Sequence, residues 1–195
     1  VTLGWKKVSK AQGYDIYRSD ESNSGFEKIA SISSGSTLTY TDKGVKSGNT
    51  YYYKIAATYK IKGSAGRGSY SKVTEVAVLK QGIIYSITLG VNNVLNISWN
   101  SVANASGYEL AGAVSEKGTY TTLQTSGATS FTHSNLVQGT TYYYKVRAYK
   151  DLSNGIRMYG PWSAVKAKAA AHEIMGTSSV TVDQMVSYYN LSLIH

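Results

Sequence analysis

Aligned on itself, the chain repeats at the scale of a whole domain. "VTLGWKKVSKAQGYDIYRS" from Val1 matches "LNISWNSVANASGYELAGA" from Leu95, setting Trp5 against Trp99 and Tyr14 against Tyr108 at an offset of 94. The tyrosine triplets that open at Tyr51 and Tyr142 stand 91 apart, and "YSKVTEVAV" from Tyr70 matches "WSAVKAKA" from Trp162 at 92. Small drifts in offset are what unequal loops between two homologous domains produce. A period this long excludes a solenoid of short repeats. The repeated part of the 195 residues must therefore fold as two similar units of modest size.

Within each unit apolar positions alternate with period two, and turn residues interrupt them every 8–12 residues, the pattern of short antiparallel strands. Composition agrees: 18 tyrosines and a single proline suit pleated, half-buried surfaces. In the second unit the strands are expected near 83–91, 95–99, 107–114, 120–125, 130–133, 141–148 and 162–167. The first unit carries equivalents of the last six; its first strand would lie before Val1. The expected fold class is all-β, two tandem sandwiches.

The ordered set of motifs is more specific. A strand tryptophan is followed by "GY", and then by an aliphatic residue six positions ahead of a Y-x-Y-x-[IV]-x-A strand. Val45 precedes Tyr51 in this way, and Leu136 precedes Tyr142. The order resembles the fibronectin type III domain, an immunoglobulin-like β-sandwich, over residues 1–79 and 83–169. The first copy then lacks its first strand. The resemblance implies that Tyr51 and Tyr142 form the family's tyrosine corner, in which the hydroxyl ties the strand entry to upstream backbone. The short connection between the copies is expected to hinge near Gln81 and Gly82.

Alternation along a strand sorts the triplets by face. Tyr51, Tyr53, Ile55 and Ala57 share the inward face of the first copy, and Tyr142, Tyr144, Val146 and Ala148 that of the second. With Trp5, Tyr14, Trp99, Tyr108 and Leu136 these tyrosines are expected to be structural. The outward set is Tyr52 and Lys54 in one copy and Tyr143, Lys145, Arg147 and Tyr149 in the other. These six are the candidate ligand contacts on the surface. Trp162, after Pro161, is expected to pack at the start of the last strand.

Little else carries chemistry. Cysteine is absent, which rules out disulfides and thiolate metal sites. The three histidines have no partner at metal-ligand or catalytic spacing, and His133 reads as a hydrogen-bonded surface residue. "GSAGRGS" from Gly63 lacks the phosphate-loop spacing and reads as a flexible loop. No cofactor and no enzymatic activity are expected of this chain. Net charge is uneven: residues 1–80 hold 13 Lys and Arg against 6 Asp and Glu, the remainder 7 against 5. The basic residues are dispersed, which argues against nucleic acid and for diffuse attraction to anionic polymers. No apolar run reaches the ~20 residues of a membrane helix, so no membrane insertion is expected within this chain.

After residue 169 the repeat ends. Residues 170–190 read as a linker and the start of a further domain. Thr181 would cap a short helix bearing Val182, Met185, Val186 and Tyr189. "IMGTSSVTVDQMVSYYN" resembles the lead-in to glucosaminidase-type domains of bacterial cell-wall hydrolases. Residues 191–195, Leu-Ser-Leu-Ile-His, match the translation of a transposon sequencing adapter, so the chain reads as a fragment. The resemblances together imply a monomeric, extracellular or wall-associated bacterial module. It would serve as a non-catalytic spacer with affinity for anionic wall polymers, holding a peptidoglycan hydrolase domain. The alternative is an adhesin repeat that binds another surface protein.

Overall fold

The computed structural model describes residues 1–61 and 63–171. The helix start, the hydrolase lead-in and the adapter match fall in 172–195, outside the described residues. The first unit comprises β1 (Thr2–Gly4), β2 (Gly13–Ser19), β3 (Glu27–Ile32), β4 (Thr39–Thr41), β5 (Asn49–Ile61), β6 (Ser64–Tyr70) and β7 (Thr74–Val78). The second comprises β8 (Ile84–Gly90), β9 (Val94–Trp99), β10 (Gly107–Ala113), β11 (Thr121–Ser126), β12 (Ser130–His133), β13 (Thr141–Asp151), β14 (Arg157–Tyr159) and β15 (Lys166–Ala169).

Each unit is two antiparallel sheets face to face. In the second, β12-β9-β8 packs on β11-β10-β13-β14, with β15 pairing the start of β13. In the first, β1-β4 packs on β3-β2-β5-β6, with β7 pairing the start of β5. The sheet that has three strands in one unit therefore has two in the other. Period-two burial drives the arrangement. Leu95, Ile97 and Trp99 on β9 are 0%, 0% and 2% exposed, while the residues between them are not fully buried. They meet Tyr108, Leu110, Tyr144 and Val146 from the opposite sheet. The first core is smaller, centred on Leu3, Tyr14, Ile16, Tyr51, Tyr53 and Ala57.

Three features differ from the sequence expectation. The "GSAGRGS" stretch is not a loop: β6 pairs the far half of β5, with Tyr59 opposite Gly66 and Thr58 opposite Arg67. The reason is that β5 outruns β7, leaving an edge that only a returning strand can satisfy. The second unit repeats this device with β14 on the far end of β13. The last strand begins at Lys166 rather than Trp162.

The connection between units is not a hinge. Leu79 is buried in the core of the second sandwich, packed where Gly160 leaves room. Gln81 Nε2 donates to the Trp162 carbonyl at 2.6 Å, buried Gly82 lies against Val146, and Ile83 N–H donates to Asn100 Oδ1 at 2.5 Å. Farther out, Ser153 donates twice to Glu75 Oε2, at 3.0 and 2.7 Å, and Asn104 Nδ2 donates to the Gly48 carbonyl at 2.5 Å. Bending at Gln81 and Gly82 would have to break this packing.

Candidate functional site

The inward tyrosines each end on a partner. Tyr51 Oη accepts the Lys46 N–H at 2.8 Å, and Tyr142 Oη accepts the Val137 N–H at 3.0 Å, one corner in each sandwich. Tyr14 accepts from Val8 N–H at 3.1 Å and Tyr108 from Val102 N–H at 2.8 Å. Tyr53 Oη donates to Asp42 at 2.9 Å, and Tyr144 Oη lies 2.8 Å from His133 Nδ1. Leu136 packs against the second core, and Trp99 is buried. Trp5 is only half-buried, with its ring edge-on to Tyr14 at 5.3 Å. His133 is hydrogen-bonded as expected but only partly at the surface: its ring is half-buried, edge-on to Tyr142 and Tyr144, and burial pushes its pKa below the usual imidazole value.

These bonds rank the tyrosines. Tyr108→Phe leaves the buried Val102 N–H without its acceptor and is expected to cost about 1–3 kcal/mol. Tyr142→Phe frees an amide that solvent can reach, for about 0.5–1 kcal/mol. Tyr143→Phe, on the outer face, should stay within about 0.5 kcal/mol. Urea unfolding of the three variants checks the order; equal losses would mean the inward and outward assignments are wrong.

On the outer face the structure assembles a cation–aromatic ladder. In the second sandwich Lys145 Nζ sits 4.2 Å from the Tyr120 ring centre and 4.8 Å from that of Trp162. The Arg147 guanidinium follows, 4.4 Å from Trp162 and 3.8 Å from Tyr159. Arg147 also donates from Nε and Nη2 to Glu109 Oε2, at 2.9 and 2.7 Å, and Thr122 Oγ1 donates to Oε1 of the same carboxylate. Beyond it Arg157 covers Tyr149 at 3.7 Å and pairs with Asp151, whose carboxyl this bond holds below its ordinary range.

The first sandwich repeats the ladder at matched positions. Lys54 Nζ is 4.1 Å from both the Phe26 and the Tyr70 ring centres. Arg67 lies 4.5 Å from Tyr70, and its Nη1 donates to Tyr17 Oη at 2.7 Å. The residues correspond across the repeat: Lys54 with Lys145, Tyr70 with Trp162, Phe26 with Tyr120.

Five of the six predicted surface contacts thus lie half-buried on the outer face: Tyr52, Lys54, Tyr143, Lys145 and Arg147. Tyr149 is a correction. It lies on that face but is only 6% exposed, because Arg157 and Tyr159 close over it and Gly107 leaves its ring room to lie flat. Sequence reasoning missed Phe26, Tyr70, Tyr120, Tyr159 and Arg67. For Phe26, Tyr70 and Tyr120 the signal was an aromatic at each matched position, Phe26 with Tyr120 and Tyr70 with Trp162; Arg67 and Tyr159, which correspond to each other, carried no such signal. The ladder's chemistry is limited. Ring faces occupied by cations are not open for stacking a sugar, and each such contact contributes about 0.5–1 kcal/mol at exposed sites. Positive charge is retained on the surface. Among the described residues no group of three or more His, Asp and Glu side chains could hold a metal ion, and no helix is long and apolar enough to cross a membrane.

Strand order, paired cores and paired tyrosine corners define two fibronectin type III-like sandwiches in tandem. No protein-family model matches the chain. It is 32% identical over 157 residues to a Kelch domain-containing protein of Saccharolobus solfataricus, covering 79% of this chain and 21% of that protein. It is 26% identical over 191 residues to exoglucanase B of Cellulomonas fimi, covering 93% of this chain and 16% of the relative. The chain therefore spans about a fifth of these curated relatives' length or less. Among solved structures, the FN1–FN3 domains of chicken CNTN1 align over 87% of this chain and 60% of theirs, at 18% identity and a TM-score of 0.43.

Proposed function

We propose that the chain is a non-catalytic spacer and binding module of a secreted bacterial, cell-wall-associated protein, set ahead of a peptidoglycan hydrolase domain. One observation carries the spacer reading: the connection is built into the second core through Leu79 and Ile84 rather than left free. A pair of sandwiches joined in that way transmits separation and orientation, which a floppy linker cannot. The resemblance of residues 174–190 to a hydrolase lead-in supports the choice of neighbour. So does the match to short stretches of much longer proteins, one of them a glucanase.

Wall affinity would come from dispersed positive charge, densest in residues 1–80, with the ladder holding lysine and arginine at the surface. Attraction of this kind is long-ranged and screened by salt. Sedimentation of the chain with purified cell walls should therefore be strong at low ionic strength. It should be lost at several hundred millimolar salt, where the screening length falls to roughly 5 Å. Turbidity of the same suspension should not fall. Binding that survives high salt would replace the polyanion reading with a shaped sugar site, and lysis would overturn the non-catalytic one.

A further inference from the structure

The two outer faces differ where the ladder ends. In the second sandwich Tyr149 lies beside Gly107, Arg157 covers its ring at 3.7 Å, and Asp151 takes the Arg157 fork. Register puts Thr58, Ala65 and Lys60 of the first sandwich at those three positions. Thr58 stands opposite Arg67 and Lys60 opposite Ala65, as Tyr149 stands opposite Tyr159 and Asp151 opposite Arg157. A ring, its cover and an acid give way to a hydroxyl, a methyl group and an ammonium. What remains is a cleft of about 610 Å³, within the size range of ligand pockets, lined by Gln12, Ser33, Ser34, Thr58, Lys60 and Ala65. The second sandwich closes this place with its own β13 and β14, so the openness of the first follows from the smaller side chains on β5 and β6.

The lining is polar and carries no carboxylate. Ser34 Oγ is taken up by Ser36 at 2.9 Å, whereas the side chains of Gln12, Ser33, Thr58 and Lys60 make no hydrogen bond among the described residues. Charge is equally open along the face. Arg147 and Arg157 of the second sandwich are each held by a carboxylate, but Lys54, Lys60 and Arg67 form no ion pair among the described residues. Asp15 on the same face is engaged by Ser31 at 2.6 Å and by Lys28 at 3.5 Å. Lys54 and Lys60 share the outer face of β5 roughly 20 Å apart, at a strand's rise of about 3.3 Å per residue, and Arg67 stands between them on β6.

We propose that this cleft binds one repeat of a polyol phosphate chain, whose following phosphates lie along Arg67 and Lys54; the proposal rests on the polyanion reading above and locates it. Cations without a carboxylate select an anion, and their hydrogen bonds to phosphate are charge-assisted. Hydroxyl and amide side chains select a ligand that carries hydroxyls, because an apolar one would strip their water and return no partner. Contacts spread along a strand select a polymer. A phosphate diester between polyol units has all three properties: one negative charge per repeat, hydroxyls beside it, and a backbone flexible enough to follow β5. An uncharged glycan would leave the three cations without an ion partner. It would also find the Tyr70 ring already covered by Lys54 and Arg67.

The test uses the intact chain and a fluorescent oligo(glycerol phosphate) long enough to span Lys60 to Lys54, followed by anisotropy at low salt. Saturable binding is expected. Lys60→Ala, at an exposed position, should weaken it about tenfold, the equivalent of one lost hydrogen bond to a charged group. Thr58→Tyr puts the second sandwich's ring beside Gly13 without changing charge, and should weaken binding about as much by filling the cleft. Lys117→Ala removes the same charge from an exposed loop of the second sandwich and should stay within about twofold. Lys60→Ala carries the test if the Thr58 variant fails to fold. Single-stranded DNA of matched charge should compete about tenfold less well than unlabelled oligomer, and equal competition overturns the polyol assignment. Sedimentation with walls separates this site from the diffuse attraction. Walls that bind the chain while the oligomer does not, or equal small losses for Lys60→Ala and Lys117→Ala, overturn the cleft and leave the polyanion reading standing. A chain that binds neither wall nor oligomer overturns both.

Discussion

Replacing Trp99 by alanine is expected to cost the second sandwich about 3–5 kcal/mol, and the same change at Trp5 about half as much in the first. The two residues hold the same place in the repeat, each edge-on to the "GY" tyrosine, at 6.1 Å for Trp99–Tyr108 and 5.3 Å for Trp5–Tyr14. What differs is the lid. Ile84 pairs with Trp99 and closes the groove over it, while Trp5 borders another cleft, which is open. Truncation loses the transfer free energy of the area actually buried, and it leaves a cavity only where the walls cannot relax. Trp99 suffers both; Trp5 suffers a part of the first. Because Leu79 couples the units, a single melting curve would blur them. Hydrogen exchange at Tyr144 and Val146, against Tyr53 and Ile55, reads each sandwich separately. Equal losses of protection in the two variants would show that the cleft does not weaken the first core.

Acid should loosen the second sandwich before the first. The inner tyrosines of the repeat, Tyr53 and Tyr144, end on different residues at matched positions, Asp42 in one unit and His133 in the other. Burial alone would raise the Asp42 pKa. The Gly44 N–H at 2.8 Å, Arg18 at 2.9 Å and the Tyr53 hydroxyl outweigh it, and the carboxyl sits below its ordinary value of 3.8. Its contribution is therefore present above about pH 4 and is lost only as pH falls through the lowered folded value. His133, with Phe131, Tyr142 and Tyr144 around it, is held below its ordinary 6.5 by burial. The unfolded chain takes up that proton first, so stability of the second unit declines as pH drops below about 6.5.

Asp42→Ala should cost the first unit about 2–4 kcal/mol at neutral pH, because the buried Tyr53 hydroxyl and the Arg18 guanidinium lose their acceptor. The gap between wild type and variant should narrow below pH 4. His133→Gln should flatten the second unit's decline between about pH 6.5 and 5. Protection of the two units measured across pH 3–8 separates the outcomes. A first unit that loosens at pH 6, or a His133 variant with unchanged pH dependence, would contradict these assignments.

Most of the fold was legible because it is written twice. Period-two alternation assigned the inward and outward tyrosines, and the offset between copies exposed the tandem. Local pattern was weaker wherever a strand is made by its partner. The glycine-rich run at Gly63 has no apolar alternation, and it becomes β6 because β5 extends past β7 and leaves an edge to satisfy. Arg157–Tyr159 becomes a strand for the same reason. The candidate surface was half legible. Lys54, Lys145 and Arg147 follow from alternation along one strand, but the rings that flank them come from other strands and a loop. Their meeting is a matter of register.

The sequence by itself determined the architecture: two all-β units, their tyrosine corners, and which side of each long strand faces inward. These follow from side-chain periodicity and from repetition, both of which are properties of the linear chain. Tertiary structure alone decided that Tyr149 is covered and that Gln81 and Gly82 are locked. Each depends on what a distant segment brings to the same place, Arg157 over one ring, residues 79–84 in one groove. Burial is set by neighbours in space, and periodicity does not name them.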